Sequence, residues 1–216
     1  MKIAQGSKSW IIITLLLGLF FLIISVVFRQ KIFGIISLFI CVVLLILAGF
    51  FILFFRDPDR KTGKGIVACA DGKIREIKKI KDKKLGECFR ISTFMNIYDV
   101  HVNRMPMGGL VKDVTHISGG YVPAFKKESE RNERVIFTII TDIGMVKIIQ
   151  IAGTIARRIV PYIGEGDNVK KGEKIGIIRL GSRVDIYLPS EKIKKIVVKS
   201  NDRIRAGEST IAEIND

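Results

Sequence analysis

The chain of 216 residues carries 36 lysine and arginine residues against 21 acidic residues, which gives a net charge of +15. A charge of this sign predicts an anionic partner, either a nucleic acid or the anionic surface of a membrane. Zinc-finger spacings and RNA-binding aromatic motifs are absent, and the three cysteines lack C-x-x-C spacing, which argues against nucleic acid, a disulfide scaffold and a metal site.

Two apolar runs, residues 11–28 and 32–55, occupy a segment in which residues 1–55 include no acidic side chain. As helices they would be about 27 and 36 Å long, enough to cross a hydrocarbon core of about 30 Å. Only Arg29, Gln30 and Lys31 separate them, which leaves room for a tight antiparallel turn. We therefore predict a membrane anchor, a helical hairpin that either spans the bilayer or enters one leaflet. A signal peptide is rejected because a second apolar run follows at once.

The distribution of basic residues predicts the orientation of this anchor. Both ends of a hairpin face one side of the membrane, and its turn faces the other. The basic residues near the two ends are Lys2, Lys8, Arg56, Arg60, Lys61 and Lys64, and those at the turn are Arg29 and Lys31. The positive-inside rule thus predicts a protein of the cell membrane whose remaining part, residues 56–216, lies on the cytoplasmic side.

Residues 56–216 show short, β-branched runs interrupted by glycine and charged residues, a pattern typical of strands. The predicted strands are 65–69, 73–80, 87–94, 109–118, 134–141, 145–151, 155–160, 174–179, 184–188 and 193–198. Residues 164–176 are similar to the glycine-containing turns of biotinyl- and lipoyl-type barrel-sandwich domains, and residues 200–208 weakly repeat them. The fold class predicted is therefore mainly β, with a barrel-sandwich-like soluble domain behind a transmembrane helical hairpin.

Gly181 and Ser182 lie between two of these β-rich runs. Glycine relieves backbone crowding at a bend, and a serine next to it can turn its hydroxyl onto the preceding carbonyl. Such an attack starts an N→O acyl shift, after which β-elimination and hydrolysis leave a pyruvoyl group at residue 182. An ordinary turn is the alternative interpretation of this pair.

Five segments occur in an order that is typical of one protein family. They are Phe55–Arg60, Ala70–Ile74, Asp99–Pro106, Gly120–Phe125 and Gly181–Ser182. Together they resemble the short form of phosphatidylserine decarboxylase, which includes the archaeal archaetidylserine decarboxylases. The resemblance implies a pyruvoyl-dependent enzyme that decarboxylates an anionic serine phospholipid to its ethanolamine counterpart through a Schiff base, with phosphatidyl and archaetidyl tails both left open.

The same resemblance implies a proenzyme that cleaves itself between Gly181 and Ser182. Residues 1–181 would become the beta chain, with the anchor, and residues 182–216 the alpha chain, with the pyruvoyl group at its start. The two would form a heterodimer, and the order of any further oligomer is left open.

The resemblance assigns catalytic roles to Ser182, His101 and Asp71. Ser182 would be the nucleophile and the source of the pyruvoyl group, with His101 as its base. Asp71 would orient His101 as in a serine protease, although an aspartate before glycine is also a common turn residue. Long-form bacterial enzymes have a second histidine where this chain has Arg104, so it is left open whether His101 serves both self-cleavage and decarboxylation.

Arginines are the candidates for substrate binding. Arg104 could hold a carboxylate or a phosphate, since a guanidinium matches either group bidentately, and a surface salt bridge is the alternative. Arg56 and Arg60 follow the second apolar run, at the level of lipid phosphates, with general anchoring as the alternative.

A non-enzymatic function is the alternative for the whole chain. A membrane-tethered barrel-sandwich adaptor would explain the hairpin and the glycine-containing turns. It would leave Asp71, His101 and the Gly181–Ser182 pair without a role.

Overall fold

The structure, a computed structural model, describes residues 2–120, 122, 131–153, 158–179 and 182–215. The chain forms two compact units, residues 1–58 and residues 59–216. Strands account for 44% of the structure and helices for 24%, which confirms the predicted mainly β fold class.

The first unit is a helical hairpin made of α1 (Lys8–Val27) and α2 (Ile32–Phe54). The first and last residues of both helices lie within three positions of the ends of the predicted apolar runs. The ring of Trp10, near the start of α1, lies 6.0 Å from the ring of Phe51, near the end of α2, so the helices are antiparallel.

A short pair of strands closes the open end of this hairpin. Strand β1 (Lys2–Ile3) pairs antiparallel with β2 (Arg56–Asp57). Most of the exposed large apolar side chains among the described residues lie on α1 and α2. Because both helices are long and apolar enough to cross a membrane, this surface indicates membrane association.

The second unit consists almost entirely of strands. They are, in chain order, β3 (Ile66–Val67), β4 (Gly72–Asp82), β5 (Gly86–Met95), β6 (Val102–Arg104), β7 (Gly109–Ile117), β8 (Arg134–Thr141), β9 (Gly144–Ala152), β10 (Ile159–Pro161), β11 (Asn168–Val169), β12 (Lys174–Ile178), β13 (Ser182–Pro189), β14 (Ile193–Ile196), β15 (Arg203–Ile204) and β16 (Thr210–Ile214). The sequence prediction for 155–160 falls partly outside the described residues.

The main sheet is antiparallel and has eight strands in the order β11, β7, β8, β9, β13, β5, β4, β15. It curls into a half barrel, in agreement with the predicted barrel-like domain. Two three-stranded sheets, β10–β12–β6 and β14–β16–β3, complete the unit. Residues 182–215 thus supply the central strand β13 of the main sheet, its edge strand β15, and the edge strand β14 of a smaller sheet.

The core of this unit explains why the alternating sequence forms a sheet. Apolar side chains of neighbouring strands, among them Ile74, Ile91, Ile148 and Ile186, are buried on one face. Two predicted turn glycines, Gly172 and Gly207, have φ angles of +82° and +76°, the left-handed conformation that glycine adopts without strain.

Candidate active site

Ser182 is the first residue of the central strand β13. Its Cα lies opposite Met95 at the end of β5 and Ala152 at the end of β9. The side chain is fully buried, and its hydroxyl donates a hydrogen bond to Met95 Sδ at 3.2 Å. A thioether is a weak acceptor, so this bond leaves the hydroxyl easy to turn. Gly181, the other half of the predicted cleavage site, lies outside the described residues.

Two buried amides lie next to this serine, and sequence reasoning missed both. The Asn103 amide nitrogen lies 3.6 Å from Met95 Sδ, the same sulfur that Ser182 contacts. Gln150 donates from Nε2 to Asn103 Oδ1 at 2.7 Å. Both amides are fully buried. The signal for Gln150 is one uncharged polar residue inside an apolar strand, and the signal for Asn103 is its place in the Asp99–Pro106 motif.

His101 is positioned by a tight turn between β5 and β6. The amide of Asn96 donates to Asp99 Oδ2 at 2.7 Å, and the amide of Asp99 donates to the Asn96 carbonyl at 2.9 Å. The His101 ring is fully buried, and its Nδ1 lies 2.8 Å from the Asp99 carbonyl oxygen. Because a carbonyl only accepts, Nδ1 carries the proton and Nε2 is the basic nitrogen of the neutral ring.

The backbone ladder indicates which way His101 faces. Val102 lies opposite Ile177, and the amide of Ile178 donates to the His101 carbonyl at 3.4 Å, so the ladder between β6 and β12 extends to His101. Side chains two residues apart on a strand point to the same face. We therefore infer that His101 faces the same side as Asn103, which borders Ser182.

Asp71 has partners other than the predicted histidine. Its carboxylate forms a bidentate pair with Arg60, at 2.6 Å from Nη1 to Oδ1 and 2.7 Å from Nη2 to Oδ2. The amide of Ala206 donates to Oδ1 at 2.8 Å. The predicted role of Asp71 in orienting His101 stays a prediction. Arg60 is buried in this pair, which differs from the expectation that it meets lipid phosphates.

The turn that carries Asp71 nevertheless lies close to the end of β5. Gly72 follows Asp71 with φ +144°, and a Cβ at this position would come within 2.1 Å of the Phe94 carbonyl oxygen. Glycine is therefore required here, because the backbone packs directly against β5 beside Met95. The predicted acid thus lies directly before the start of β4, which is two strands from β13, with β5 between them.

The two predicted substrate arginines have structural contacts. Arg104 is buried and donates from Nη1 to the Gly172 carbonyl at 3.0 Å. Arg56 donates from Nη1 to the Leu53 carbonyl at 2.7 Å, which satisfies a carbonyl in the last turn of α2. Their predicted contacts with the substrate stay predictions.

Two residues that follow Ser182 along β13 form an ion pair on the opposite face of the strand. Arg183 donates from Nη2 to Asp185 Oδ2 at 2.9 Å, and both side chains are buried. Burial raises the pKa of the Asp185 carboxyl above its usual value, although the guanidinium of Arg183 opposes this shift. The pair thus neutralises two buried charges within β13, and the neighbouring strands β5 and β9 hold the strand on both sides.

The surroundings of Ser182 fit a carbonyl group made from its own backbone. Met95 and Ala152 lie opposite the residue on its two neighbouring strands, Asn103 contacts the same sulfur atom as Ser182, and no part of Ser182 reaches solvent. A ketone at this position would be shielded from water. The adjacent Asn103 amide could donate a hydrogen bond to it.

Comparisons with known proteins agree on one family. The model of the family described as phosphatidylserine decarboxylase matches residues 47–212. A Methanococcoides burtonii protein provisionally named archaetidylserine decarboxylase proenzyme is 43% identical over 214 residues, which cover 98% of this chain and 96% of that protein. A Methanosarcina barkeri protein with the same name is 38% identical over 215 residues, with 98% of each chain covered.

Other relatives have a higher identity over a shorter stretch of the chain. The phosphatidylserine decarboxylase proenzyme of Streptomyces griseus is 51% identical over 144 residues, which cover 66% of this chain and 65% of that protein. The names of these relatives thus differ in the lipid, archaetidylserine or phosphatidylserine. Both names describe a decarboxylase that is made as a proenzyme.

Proposed function

The chain belongs to the phosphatidylserine decarboxylase family, and on this premise we propose that it decarboxylates a serine phospholipid with a pyruvoyl group made from Ser182. The product would be the corresponding ethanolamine phospholipid. Both phosphatidyl and archaetidyl tails remain candidates, since relatives of both names match the chain.

The observation that carries this proposal is the place of Ser182 in the fold. It is a fully buried serine at the first position of the central strand, and among the described residues its hydroxyl has one hydrogen-bond acceptor, the weakly accepting sulfur of Met95. A structural serine in a sheet core would be expected to bond a backbone carbonyl or a polar side chain. Such a bond would hold the hydroxyl in place. A hydroxyl that attacks the carbonyl of the preceding residue has to be able to turn towards it.

Self-cleavage at this position is compatible with a stable product. Residues 182–216 contain β13, which pairs with β9 and β5, and β16, which pairs with β3. These ladders join the two fragments along most of the length of β13. The alpha and beta chains would therefore stay together as a heterodimer after cleavage.

We assign the proton transfers of cleavage to His101. Its Nε2 would accept the proton of the Ser182 hydroxyl as Oγ attacks the Gly181 carbonyl, and the C–N bond then breaks to leave an ester. Removal of the Ser182 Cα proton expels the Gly181 carboxylate. Addition of one water and loss of ammonia leave the pyruvoyl carbonyl at residue 182.

In decarboxylation, the pyruvoyl group supplies the electron sink that an α-amino acid needs when its carboxyl group leaves as carbon dioxide. The chain's own residues bind and position the lipid. His101 would return a proton to the substrate Cα, and Asn103 would orient the reacting carbonyl. Burial of Ser182 excludes water from the site and limits side reactions.

We further propose that the hairpin of α1 and α2 anchors the enzyme in the cell membrane with the second unit on the cytoplasmic side. The excess of basic residues at the ends of the hairpin supports this orientation. Protease digestion of inverted and right-side-out vesicles tests it. Cleavage of the second unit only in inverted vesicles is expected, and cleavage only in right-side-out vesicles would reverse the orientation.

Intact mass spectrometry of the full chain in detergent, with a carbon dioxide release assay, tests the function. The wild type should give two chains that meet at residues 181 and 182, the smaller with a blocked N-terminus. The Ser182→Ala variant should stay uncut and inactive. Ser190→Ala is the matched control, because Ser190 is more accessible and donates to the Glu87 carbonyl, away from the cleavage site, and this variant should cleave normally.

Two results would contradict the proposal. An uncut wild type with an intact serine that still releases carbon dioxide would exclude the pyruvoyl mechanism. An uncut wild type that releases none, in a correctly folded state, would favour the adaptor function.

A further inference from the structure

The amide of Gln150 joins two sheets beside the reactive serine. Gln150 is on β9 of the main sheet, and its amide nitrogen donates to Asn103 on β6 of a three-stranded sheet at 2.7 Å. It lies two positions before Ala152, the residue opposite Ser182. Opposed residues of a ladder point to the same face, as do residues two positions apart on a strand, so Gln150 and Ser182 share one face of the sheet.

A glycine on β12 leaves room for this amide. Gly176 is the Cα partner of Asn103 on the neighbouring strand. A Cβ at Gly176 would lie 3.0 Å from Gln150 Nε2 and 3.2 Å from Gln150 Oε1. The amide of Gln150 therefore packs against the backbone of β12, and this contact is what lets it reach Asn103.

The orientation of the Asn103 amide decides which of its ends lies near Ser182. Its oxygen Oδ1 accepts from Gln150, and its nitrogen Nδ2 lies 3.6 Å from the sulfur of Met95. The hydroxyl of Ser182 donates to the same sulfur at 3.2 Å. Both amides are fully buried, so bulk solvent does not compete for these atoms. Asn103 thus presents a donor, and not an acceptor, to the surroundings of residue 182.

The opposite orientation of the two amides loses contacts. If both turned over, Asn103 Nδ2 could donate to Gln150 Oε1, and the amides would stay paired. Asn103 Oδ1 would then face the sulfur of Met95, a thioether that has no proton to donate. The bond from Gln150 Nε2 to Asn103 Oδ1 is therefore the contact that selects the observed orientation.

We propose that Gln150 is a positioning residue, which directs the donor end of the Asn103 amide towards residue 182. This inference rests on the proposed function, in which Asn103 orients a carbonyl group at that residue. A carbonyl oxygen only accepts hydrogen bonds, so the nitrogen of Asn103 would hold it and the oxygen of Asn103 would repel it. Gln150 acts through Asn103 and not on the lipid itself.

The Gln150→Glu variant tests this orientation with almost no change of shape. An ionised carboxylate only accepts, so Asn103 would turn its nitrogen towards residue 150. A protonated carboxyl can donate to Asn103 Oδ1 and keep the native orientation. Burial raises the pKa of a carboxyl, so both forms should be accessible between about pH 5 and 9. The native orientation should therefore be lost as the pH rises and restored as it falls.

Nuclear magnetic resonance measures this turn without any reaction, in the uncut Ser182→Ala chain in detergent. With methionine methyl groups labelled with carbon-13, the NH₂ protons of Asn103 should show a nuclear Overhauser effect to the Met95 methyl group. Adding Gln150→Glu should leave this effect at low pH and weaken it as the pH rises. An effect that is absent from the Ser182→Ala chain, or that survives ionisation of the introduced carboxyl as its own carbon resonance reports it, would overturn the inference.

Two controls accompany this measurement. The Ser182→Ala chain is the reference at every pH, because His101, a titratable residue, is inferred to face the same side as Asn103 in both chains. Thr138→Val removes another buried polar group, since Thr138 is 2% exposed and lies opposite Lys147, on the other face of the sheet from Gln150. This variant should leave the effect and the kcat of decarboxylation unchanged.

The mature enzyme gives a second readout. Gln150→Met nearly keeps the side-chain length and removes the amide, so it should lower kcat by about 3- to 10-fold with little change of KM. In an Asn103→Leu background the same substitution should have no further effect, because Gln150 acts through Asn103. Equal losses in both backgrounds, or no loss of kcat in the single variant, would overturn the inference. Gln150→Met also decides the question if the Gln150→Glu chain does not fold or keeps its carboxyl protonated.

The two readouts separate failure of this inference from failure of the proposed function. The nuclear Overhauser effect depends on the folded chain alone. If it follows the pH as expected in a chain that releases no carbon dioxide, the proposed function fails and the positioning of Asn103 by Gln150 stands.

Discussion

The hydroxyl of Ser182 donates its hydrogen bond to the sulfur atom of Met95, 3.2 Å away on the neighbouring strand. Few acceptors in a protein bind a hydroxyl more weakly. The amide nitrogen of Asn103 lies near the same sulfur, at 3.6 Å. Met95 therefore fills the space beside the serine without holding its hydroxyl in one orientation.

Replacing Met95 by leucine should preserve self-cleavage. Met95→Leu removes the sulfur but nearly keeps the side-chain volume, so the free energy of unfolding should change by less than about 1.5 kcal/mol. A time course of cleavage in newly synthesised protein measures the rate, which we expect to be no slower than in the wild type. Loss of cleavage in a folded Met95→Leu protein would mean that the sulfur itself takes part.

The amides of Asn103 and Gln150 should be strongly coupled. Within the described part of the chain, Gln150 Nε2 bonds only Asn103 and Gln150 Oε1 has no hydrogen-bond partner. Asn103→Leu would leave the whole Gln150 amide buried without a partner, which should lower the free energy of unfolding by about 1–3 kcal/mol.

A double-mutant cycle measures this coupling by denaturant unfolding in detergent. The variant with both Asn103→Leu and Gln150→Leu should recover part of the loss, because no unpaired amide remains in the core. Strict additivity of the two single substitutions would show that the amides act independently.

Arg60 should be essential for stability. The side chains of Arg60 and Asp71 are 6% and 11% exposed, so Arg60→Met would leave a carboxylate buried without its cation. We expect a loss of about 3–5 kcal/mol. Arg205→Met is the control, since Arg205 is 76% exposed, contacts Glu208 only at 3.8 Å, and should cost about 1 kcal/mol at most.

The Asp71→Asn variant tests whether Asp71 has the predicted catalytic role besides its ion pair with Arg60. Asparagine keeps an oxygen for the amide of Ala206 and removes the charge. If Asp71 supports His101, self-cleavage measured well below the unfolding temperature should fall by orders of magnitude. Unchanged cleavage in the folded variant would restrict Asp71 to its pair with Arg60.

The ion pair between Asp82 and Lys147 should make stability depend on pH. Burial raises the pKa of the Asp82 carboxyl, but the contact with Lys147 and two backbone amides outweigh this and hold the pKa below its ordinary value of 3.8. The stabilisation is therefore present above the pKa of the unfolded chain and is lost as the pH falls through the folded pKa.

Asp82→Asn measures this contribution by thermal unfolding in detergent. At about pH 7 the variant should be less stable than the wild type by about 1 kcal/mol, and the difference should shrink below pH 3.8 and vanish once the pH is below the folded pKa. A difference that stays constant over this range would mean that the ion pair does not set the pH dependence.

Local sequence patterns predicted much of the secondary structure. The strand predicted at 134–141 matches β8 residue for residue, and both helices were found from apolar runs alone. Strand β6 was missed because Val102–Arg104 is short and contains two polar residues, so it has no alternation. Its side chains are buried by residues that are distant in the sequence, and a local sequence pattern does not show such contacts.

Motifs in the sequence single out Ser182, His101 and Asp71, and the roles assigned to them stay predictions. The contact of Asp71 with Arg60 could not be predicted from the sequence. Arg60 was expected to meet lipid phosphates, because its position after an apolar run is visible in the sequence and its burial is not.

By itself, the sequence determined the apolar hairpin, the strands with regular alternation and the glycine-requiring turns, because each depends on residues a few positions apart. Only the tertiary structure decided that β13 lies between β9 and β5, which brings Ser182 to Met95 and, through Asn103, to Gln150. The contact of Gln150 with Asn103 joins residues 47 positions apart, and that of Ser182 with Met95 joins residues 87 positions apart. Their formation depends on the order of strands in the whole sheet, which is selected by burial of the complete core and not by any local preference.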